Sequence, residues 1–235
     1  MQVTGMLASV TSLEEALLAE QAGVDIIDLK DPRNGALGEL DGVVIDGIAR
    51  ELSGKVTLSA TIGDLPYQPA VISAAVMETA ARGVDLVKIG VFGDIRQREM
   101  LQTLNGLARR DIAMVLVCFA ESWQPDLDYT LIAEAGVRGV MLDTRDKRTG
   151  ALRDKLQQRE LAGFVLEVQR AGLMAGLAGS LALRDIAPLL ELGPDYLGFR
   201  GALCRGSERS GGVEREALFR VRGAIPRRQA VEIAV

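Results

Sequence analysis

Ala22–Lys30 reads AGVDIIDLK, and three later stretches echo it: RGVDLVKIG at Arg82–Gly90, AGVRGVMLD at Ala135–Asp143 and LGPDYLGFR at Leu192–Arg200. In each, a glycine closes a helical-period segment, as a left-handed helix C-cap does, and an aliphatic strand follows. The aligned positions Asp25, Asp85, Arg138 and Asp195 lie 60, 53 and 57 residues apart. Each interval holds two strand–helix units, so the echo falls on strands two, four, six and eight of an eight-unit chain.

Working outward, aliphatic runs predict strands at Gly5–Ser9, Asp25–Leu29, Val56–Thr61, Leu86–Val91, Ile112–Phe119, Gly139–Asp143, Leu173–Ala178 and Tyr196–Arg200. Helical periodicity follows each at Ser12–Gln21, Val43–Glu51, Pro69–Ala81, Ile95–Arg109, Leu127–Glu134, Gln158–Arg170, Leu183–Glu191 and Glu214–Arg222. Eight such units in 235 residues predict an α/β chain of the (βα)8 TIM-barrel class. A doubly wound open sheet is the rival and would show fewer units or extra elements. No linker or composition shift divides the chain, so residues 1–235 are expected to form one domain. The tail Pro226–Val235 is basic and then apolar, which suits either a frayed end or an oligomer contact, and a homo-oligomer is expected.

Composition narrows the function. The net charge of −5 leaves no basic face for nucleic acid or an anionic membrane. The first residues lack a basic n-region and reach Glu14 and Glu15 too early for a signal peptide, and Ala171–Leu183 is too short to span a bilayer. A cytoplasmic protein is expected. The two cysteines, Cys118 and Cys204, make no disulfide framework. There is no histidine, which excludes a His-based triad and any His-ligated metal site, and neither metal nor cofactor is expected. Only five lysines stand against twenty-two arginines, so the position of each lysine carries weight.

Register makes that position specific. Three residues on from the repeat's aligned position lie Asp28, Lys88, Met141 and Gly198; five residues on lie Lys30, Gly90, Asp143 and Arg200. Side chains alternate across a strand, so both sets share a face, which in a barrel is the interior. Asp28, Lys88, Lys30, Asp143 and Arg200 therefore belong to one cavity, the second set nearer its C-terminal mouth. Charges inside apolar strands are costly unless paired or functional. They form either a buried ion-pair network or a carbonyl-handling site in which a desolvated lysine attacks an aldehyde. Lys88 and Arg200 are expected to lower the proton affinity of Lys30, against Asp28 and Asp143.

Other residues are open to two readings. Ser59 and Thr61 could touch substrate or simply pack, Tyr67 could cover the mouth or fill a loop, and Cys204 reads as an inert buried thiol. Lys55 and Lys155 read as surface, whereas Lys147 follows Asp143 closely enough to reach the mouth. The segments after strands seven and eight, AGLAGS and GFRGALCRGSERSGG, resemble barrel phosphate loops. Their expected amide donors are Gly179, Ser180, Gly201 and Ala202, with Arg200, Arg205 and Arg209 adding guanidinium contacts. The residues alone thus reach a lysine-dependent aldol-type lyase acting on a small phosphorylated aldehyde. A class I sugar-phosphate aldolase and a non-catalytic sugar-phosphate-binding barrel stay open.

IIDLKDPRNGALG, LSATIGDLPY, VKIGVFG, VMLDT, LAGS and GFRGALCRG, in this order, span Ile26–Gly206. They resemble the (5-formylfuran-3-yl)methyl phosphate synthases, also called 4-(hydroxymethyl)-2-furancarboxaldehyde-phosphate synthases, of methanofuran biosynthesis. The resemblance implies a (βα)8 barrel that condenses two glyceraldehyde 3-phosphates into a furan with loss of water and one phosphate. It also implies Lys30 as the Schiff-base lysine, Lys88 as the proton acceptor, and supporting roles for Asp28, Asp143 and Lys147. The resemblance implies a longer loop after Phe119 in archaeal members, and the arginine-rich composition looks like that of a bacterial version, which would make the furan of a methanofuran-like cofactor used in one-carbon oxidation.

Overall fold

Gly23, Gly83, Gly136 and Gly193, the glycines of the repeat, have φ of 71°, 84°, 82° and 65°. This left-handed conformation ends a helix and turns the chain into a strand, and glycine reaches it without a Cβ clash. The aspartate two residues later then docks that strand on its neighbour. The amides of Asp25, Asp85 and Asp195 donate to Met6, Leu58 and Ala175 carbonyls, and their carboxylates accept from the amides of the same three residues at 2.7–2.8 Å. Arg138 keeps only the backbone half of this clasp, donating to the Met114 carbonyl.

The computed structural model describes residues 3–146 and 149–227. Its strands are β1 (Gly5–Val10), β2 (Ile26–Leu29), β3 (Thr57–Thr61), β4 (Leu86–Gly90), β5 (Met114–Phe119), β6 (Gly139–Asp143), β7 (Met174–Leu177) and β8 (Tyr196–Phe199). All pair in parallel in chain order, and β8 returns to β1 to close the barrel. The helices are α1 (Leu13–Gln21), α2 (Gly42–Leu52), α3 (Pro69–Ala81), α4 (Arg98–Ala108), α5 (Tyr129–Glu134), α6 (Leu152–Lys155), α7 (Gln158–Arg170), α8 (Leu183–Leu190) and α9 (Arg215–Gly223). The expected TIM-barrel class is therefore the observed fold.

Boundaries shift where side chains capture backbone amides. Helix α4 starts later than Ile95 because Asp94 accepts from the Arg96 amide at 2.9 Å and holds a turn there. Asp128 caps α5 through the Thr130 amide, which moves its start to Tyr129. The short helix α6 lies between β6 and α7, where the periodicity predicts no helix.

Alternation along each strand builds two cores. Leu7, Val115, Val117, Met141 and Tyr196 point inward and pack with one another. Their neighbours Ala8, Leu116, Val140, Leu142 and Leu197 join the larger cluster between strands and helices. Both faces are covered, which is why the strands read as continuous apolar runs. A buried aliphatic side chain contributes about 1.5–3 kcal/mol. No helix among the described residues is long and apolar enough to cross a membrane. At the chain's end Arg227 donates to the Ala22 carbonyl, while residues 228–235 of the tail lie outside the described residues.

Candidate active site

The C-terminal ends of the strands open into a cavity of about 310 Å³. Its wall carries Lys30, just past β2, with Lys88 of β4 and Asp143 at the end of β6. Strand register brings them together. Ser9, Asp28 and Ser59 stand level on β1, β2 and β3, and Lys88 pairs with Thr61 one inward step nearer the mouth. All four charged groups are buried.

Two lysine–carboxylate pairs result. Lys88 Nζ donates to Asp28 Oδ1 at 3.1 Å, and Asp28 also accepts from the Ser9 and Ser59 hydroxyls at 2.9 and 2.8 Å. Burial alone would raise the Asp28 pKa, but Lys88, Lys30 and the Ser59 hydrogen bond outweigh it and hold the carboxyl below its usual range. Lys30 Nζ lies 3.8 Å from Asp143 Oδ2, while Asp143 Oδ1 accepts from the Thr144 amide at 2.7 Å. Such an array can hold a phosphorylated aldehyde against an amine while moving protons on buried carboxylates and ammoniums.

The other wall is backbone. Gly179, Ser180, Gly201 and Ala202 all line the cavity, as the phosphate-loop reading expects. Gly179 has φ 110°, and a Cβ there would meet the Thr144 backbone nitrogen and Cγ2 at 2.9 Å, so only glycine permits this close turn. Ser180 is left-handed too, with φ 51°. Within the described residues no hydrogen bond engages the amides of these four residues.

The arginines divide. Arg209 lines the cavity, and its guanidinium donates to the Gly35 carbonyl at 3.0 Å. Arg205 does not line it; its exposed side chain pairs with Glu214 at 3.0 Å, which corrects its expected position at the site. Arg200 reaches the wall, but its five N–H groups serve Glu15 twice and the carbonyls of Ser9, Arg209 and Gly211. Its charge is paired with that of Glu15 at 2.6 Å. Lys147 lies outside the described residues.

Of the ambiguous residues, Ser59 serves Asp28, and Thr61 donates to the Gly38 carbonyl. Tyr67 packs beside Gly93 and does not line the cavity. Cys204 is buried with Sγ 3.2 Å from the Arg200 carbonyl, and burial raises its pKa. Lys155, expected on a solvated face, instead meets Glu121 at 3.1 Å and Thr149 Oγ1 at 2.6 Å. Glu121 also accepts from the Arg145 and Asp146 amides, so it ties down the loop beyond Asp143. Sequence reading missed three further residues: Ser9, whose inward register was visible; Glu15; and Asp64, whose carboxylate grips the Ala36 and Leu37 amides of the loop after Lys30.

Comparison with known proteins places this geometry. A family model described as 4-HFC-P synthase matches residues 6–222. The (5-formylfuran-3-yl)methyl phosphate synthase of Methanocaldococcus jannaschii is 34% identical over 225 residues, covering 91% of this chain and 96% of that protein. A Methylorubrum extorquens protein carrying the same name provisionally is 41% identical over 227 residues, covering 97% and 90%. The crystal structure of phosphoribosyl anthranilate isomerase from Thermus thermophilus superposes with a TM-score of 0.66 at 17% identity, over 93% of this chain and 97% of that one, a likeness of fold alone. With the family match spanning the barrel from β1 to α9, the chain belongs to the 4-HFC-P synthase family.

Proposed function

We propose that the chain condenses two molecules of glyceraldehyde 3-phosphate into (5-formylfuran-3-yl)methyl phosphate through an iminium on Lys30, supplying the furan of a methanofuran-type cofactor. The observation that carries this is the pair of buried lysine–carboxylate contacts, Lys30–Asp143 and Lys88–Asp28, whose two lysines line one cavity beside glycine-rich loops while Asp28 lies behind its wall.

The product's skeleton sets the chemistry. If each triose keeps its three carbons together, the ring oxygen allows one division. One triose becomes the formyl carbon, C5 and C4; the other becomes C2, C3 and the phosphoryloxymethyl group. The first triose must therefore lose phosphate from the carbon that becomes C4, two positions from its aldehyde. Lys30 attacks that aldehyde, and water leaves to give the iminium. Removal of the neighbouring proton gives an enamine, whose electron pair expels the phosphate and leaves an unsaturated iminium, electrophilic at its end carbon. The second triose, deprotonated beside its aldehyde, attacks that carbon. The first triose's hydroxyl then closes on the second aldehyde. Dehydration gives the furan, and hydrolysis of the iminium frees Lys30. The net products are the furan, one phosphate and two waters.

Lys88, which donates to Asp28, gives a proton to the departing water and then, as an amine, takes the proton beside the iminium. Asp143 relays the proton that Lys30 releases. The amides of Gly179, Ser180, Gly201 and Ala202, with Arg209, hold phosphate; Lys147, four residues on from Asp143 in the sequence, supplies a further positive charge. Incubation with glyceraldehyde 3-phosphate alone tests the reading. The expected result is ultraviolet absorbance of a furan with one phosphate released per two trioses consumed. Condensation without an aromatic product would instead reveal an aldolase, and no turnover a binding protein.

A further inference from the structure

We infer that Arg200 and Glu15 are a buried pair of positioning residues that set the shape of the phosphate-binding loop after β8 without touching the phosphate themselves. This rests on the phosphate site proposed above. Arg200 is the first residue beyond β8, and its guanidinium donates to the carbonyls of Arg209 and Gly211 at 2.9 and 2.8 Å. It thereby folds residues 201–211 back over their own origin. Its other donors reach the Ser9 carbonyl at the end of β1 and Glu15 on α1, the latter at 2.6 and 3.3 Å.

Glu15 closes the arrangement from the other side. Its carboxylate accepts from the Thr11 amide at 2.7 Å, the Thr11 hydroxyl at 3.1 Å and the Val213 amide at 3.0 Å. The far end of the loop is thus tied to the first strand–helix turn. Both side chains are buried, where a charge-matched, fully hydrogen-bonded pair is rigid and loss of either partner strands the other. The segment held between the two ties carries Gly201, Ala202 and Arg209, all on the cavity wall. Backbone amides grip an anion well only when they are fixed in advance, because ordering a loop on binding costs affinity. The inference therefore makes phosphate affinity depend on a pair whose donors and acceptors face the protein.

The test is calorimetric titration of inorganic phosphate into the wild type, Arg200→Lys, Glu15→Gln and the double variant. It is read beside amide hydrogen exchange of residues 201–213. Lysine cannot serve five acceptors, and glutamine keeps the shape of Glu15 without its charge. Each single variant is expected to weaken phosphate binding about tenfold and to speed exchange in the loop. The double is expected to be less than additive, because either single change already breaks the Arg200–Glu15 contact that both ties share. In steady state the KM for the triose phosphate should rise while kcat at saturation stays within about twofold. Unchanged phosphate affinity in folded variants would overturn the inference. So would weaker binding with unchanged loop exchange, since Arg200 would then touch the anion directly. Glu15→Gln, the gentler change, covers the case in which Arg200→Lys does not fold. The phosphate titration involves no furan chemistry, so failure of the proposed reaction leaves this arm readable.

Discussion

Lys88 must change charge during turnover if it serves first as an acid and then as a base, and Asp28 is what makes its ammonium tolerable in the barrel. Arginine keeps the charge but does not deprotonate in proteins. Lys88→Arg is therefore expected to fold and to lose about 10²–10⁴-fold in kcat, the usual share of general acid–base catalysis. Steady-state assay checks this, and near-wild-type turnover would reduce Lys88 to a structural charge. Asp28→Asn should act on stability as well. It removes the negative partner of a fully buried lysine, at a cost of about 3–5 kcal/mol. In a chain of this size that corresponds to a fall in Tm on the order of 10 °C, measurable by calorimetry. At this scale the sequence was highly legible. Counting three and five residues along the repeat selected Asp28, Lys88, Lys30 and Asp143, and the structure brings all four together. Arg200 shows the limit, for register located its backbone while the partner that claims its charge, Glu15, lies 185 positions away with no periodic signal.

At the scale of elements, the phosphate loops depend on backbone conformation more than on side chains. Gly179→Val would force a β-branched residue into a positive φ and against the Thr144 backbone. The variant is expected to lose about 1–3 kcal/mol of stability and to raise KM for the triose phosphate more than it lowers kcat, as denaturation and steady-state assays can read. The loop after Lys30 has its own tie. Asp64→Ala leaves the Ala36 and Leu37 amides without their acceptor, at about 1–3 kcal/mol for each buried group, and should loosen the segment that follows the proposed nucleophile. Hydrogen exchange of that loop is the measurement. Ser12 caps α1 by accepting from the Glu15 amide at 3.2 Å. The Glu15 carboxylate, however, is drawn to Thr11, Val213 and Arg200, a tertiary use that no local pattern announces. Lys155 and Glu121 hold the loop beyond Asp143 in the same non-local way.

For the whole molecule, closure of the barrel joins charges distant in the chain, and this couples stability to acid. Burial pushes the carboxyls of Asp28 and Glu15 up, but their cationic and hydrogen-bonding partners outweigh it, so both titrate below their ordinary values. Depressed carboxyls contribute stability that is present above their unfolded-state pKa, about 4, and is lost as pH falls through the folded values. Tm is therefore expected to stay level from neutral pH to about 5 and to fall below about 4, with a shallower acid slope in Glu15→Gln. Barrel topology itself was readable because the glycine–aspartate repeat is both a helix stop and an interstrand clasp. The account's central claim, covalent catalysis by Lys30, meets its most direct test in borohydride reduction during turnover of glyceraldehyde 3-phosphate, followed by peptide mass mapping. The account predicts a reduced adduct on the peptide carrying Lys30 and none in Lys30→Ala, which should also lose turnover. Trapping only at Lys88 or Lys147, or full turnover by the alanine variant, would contradict it.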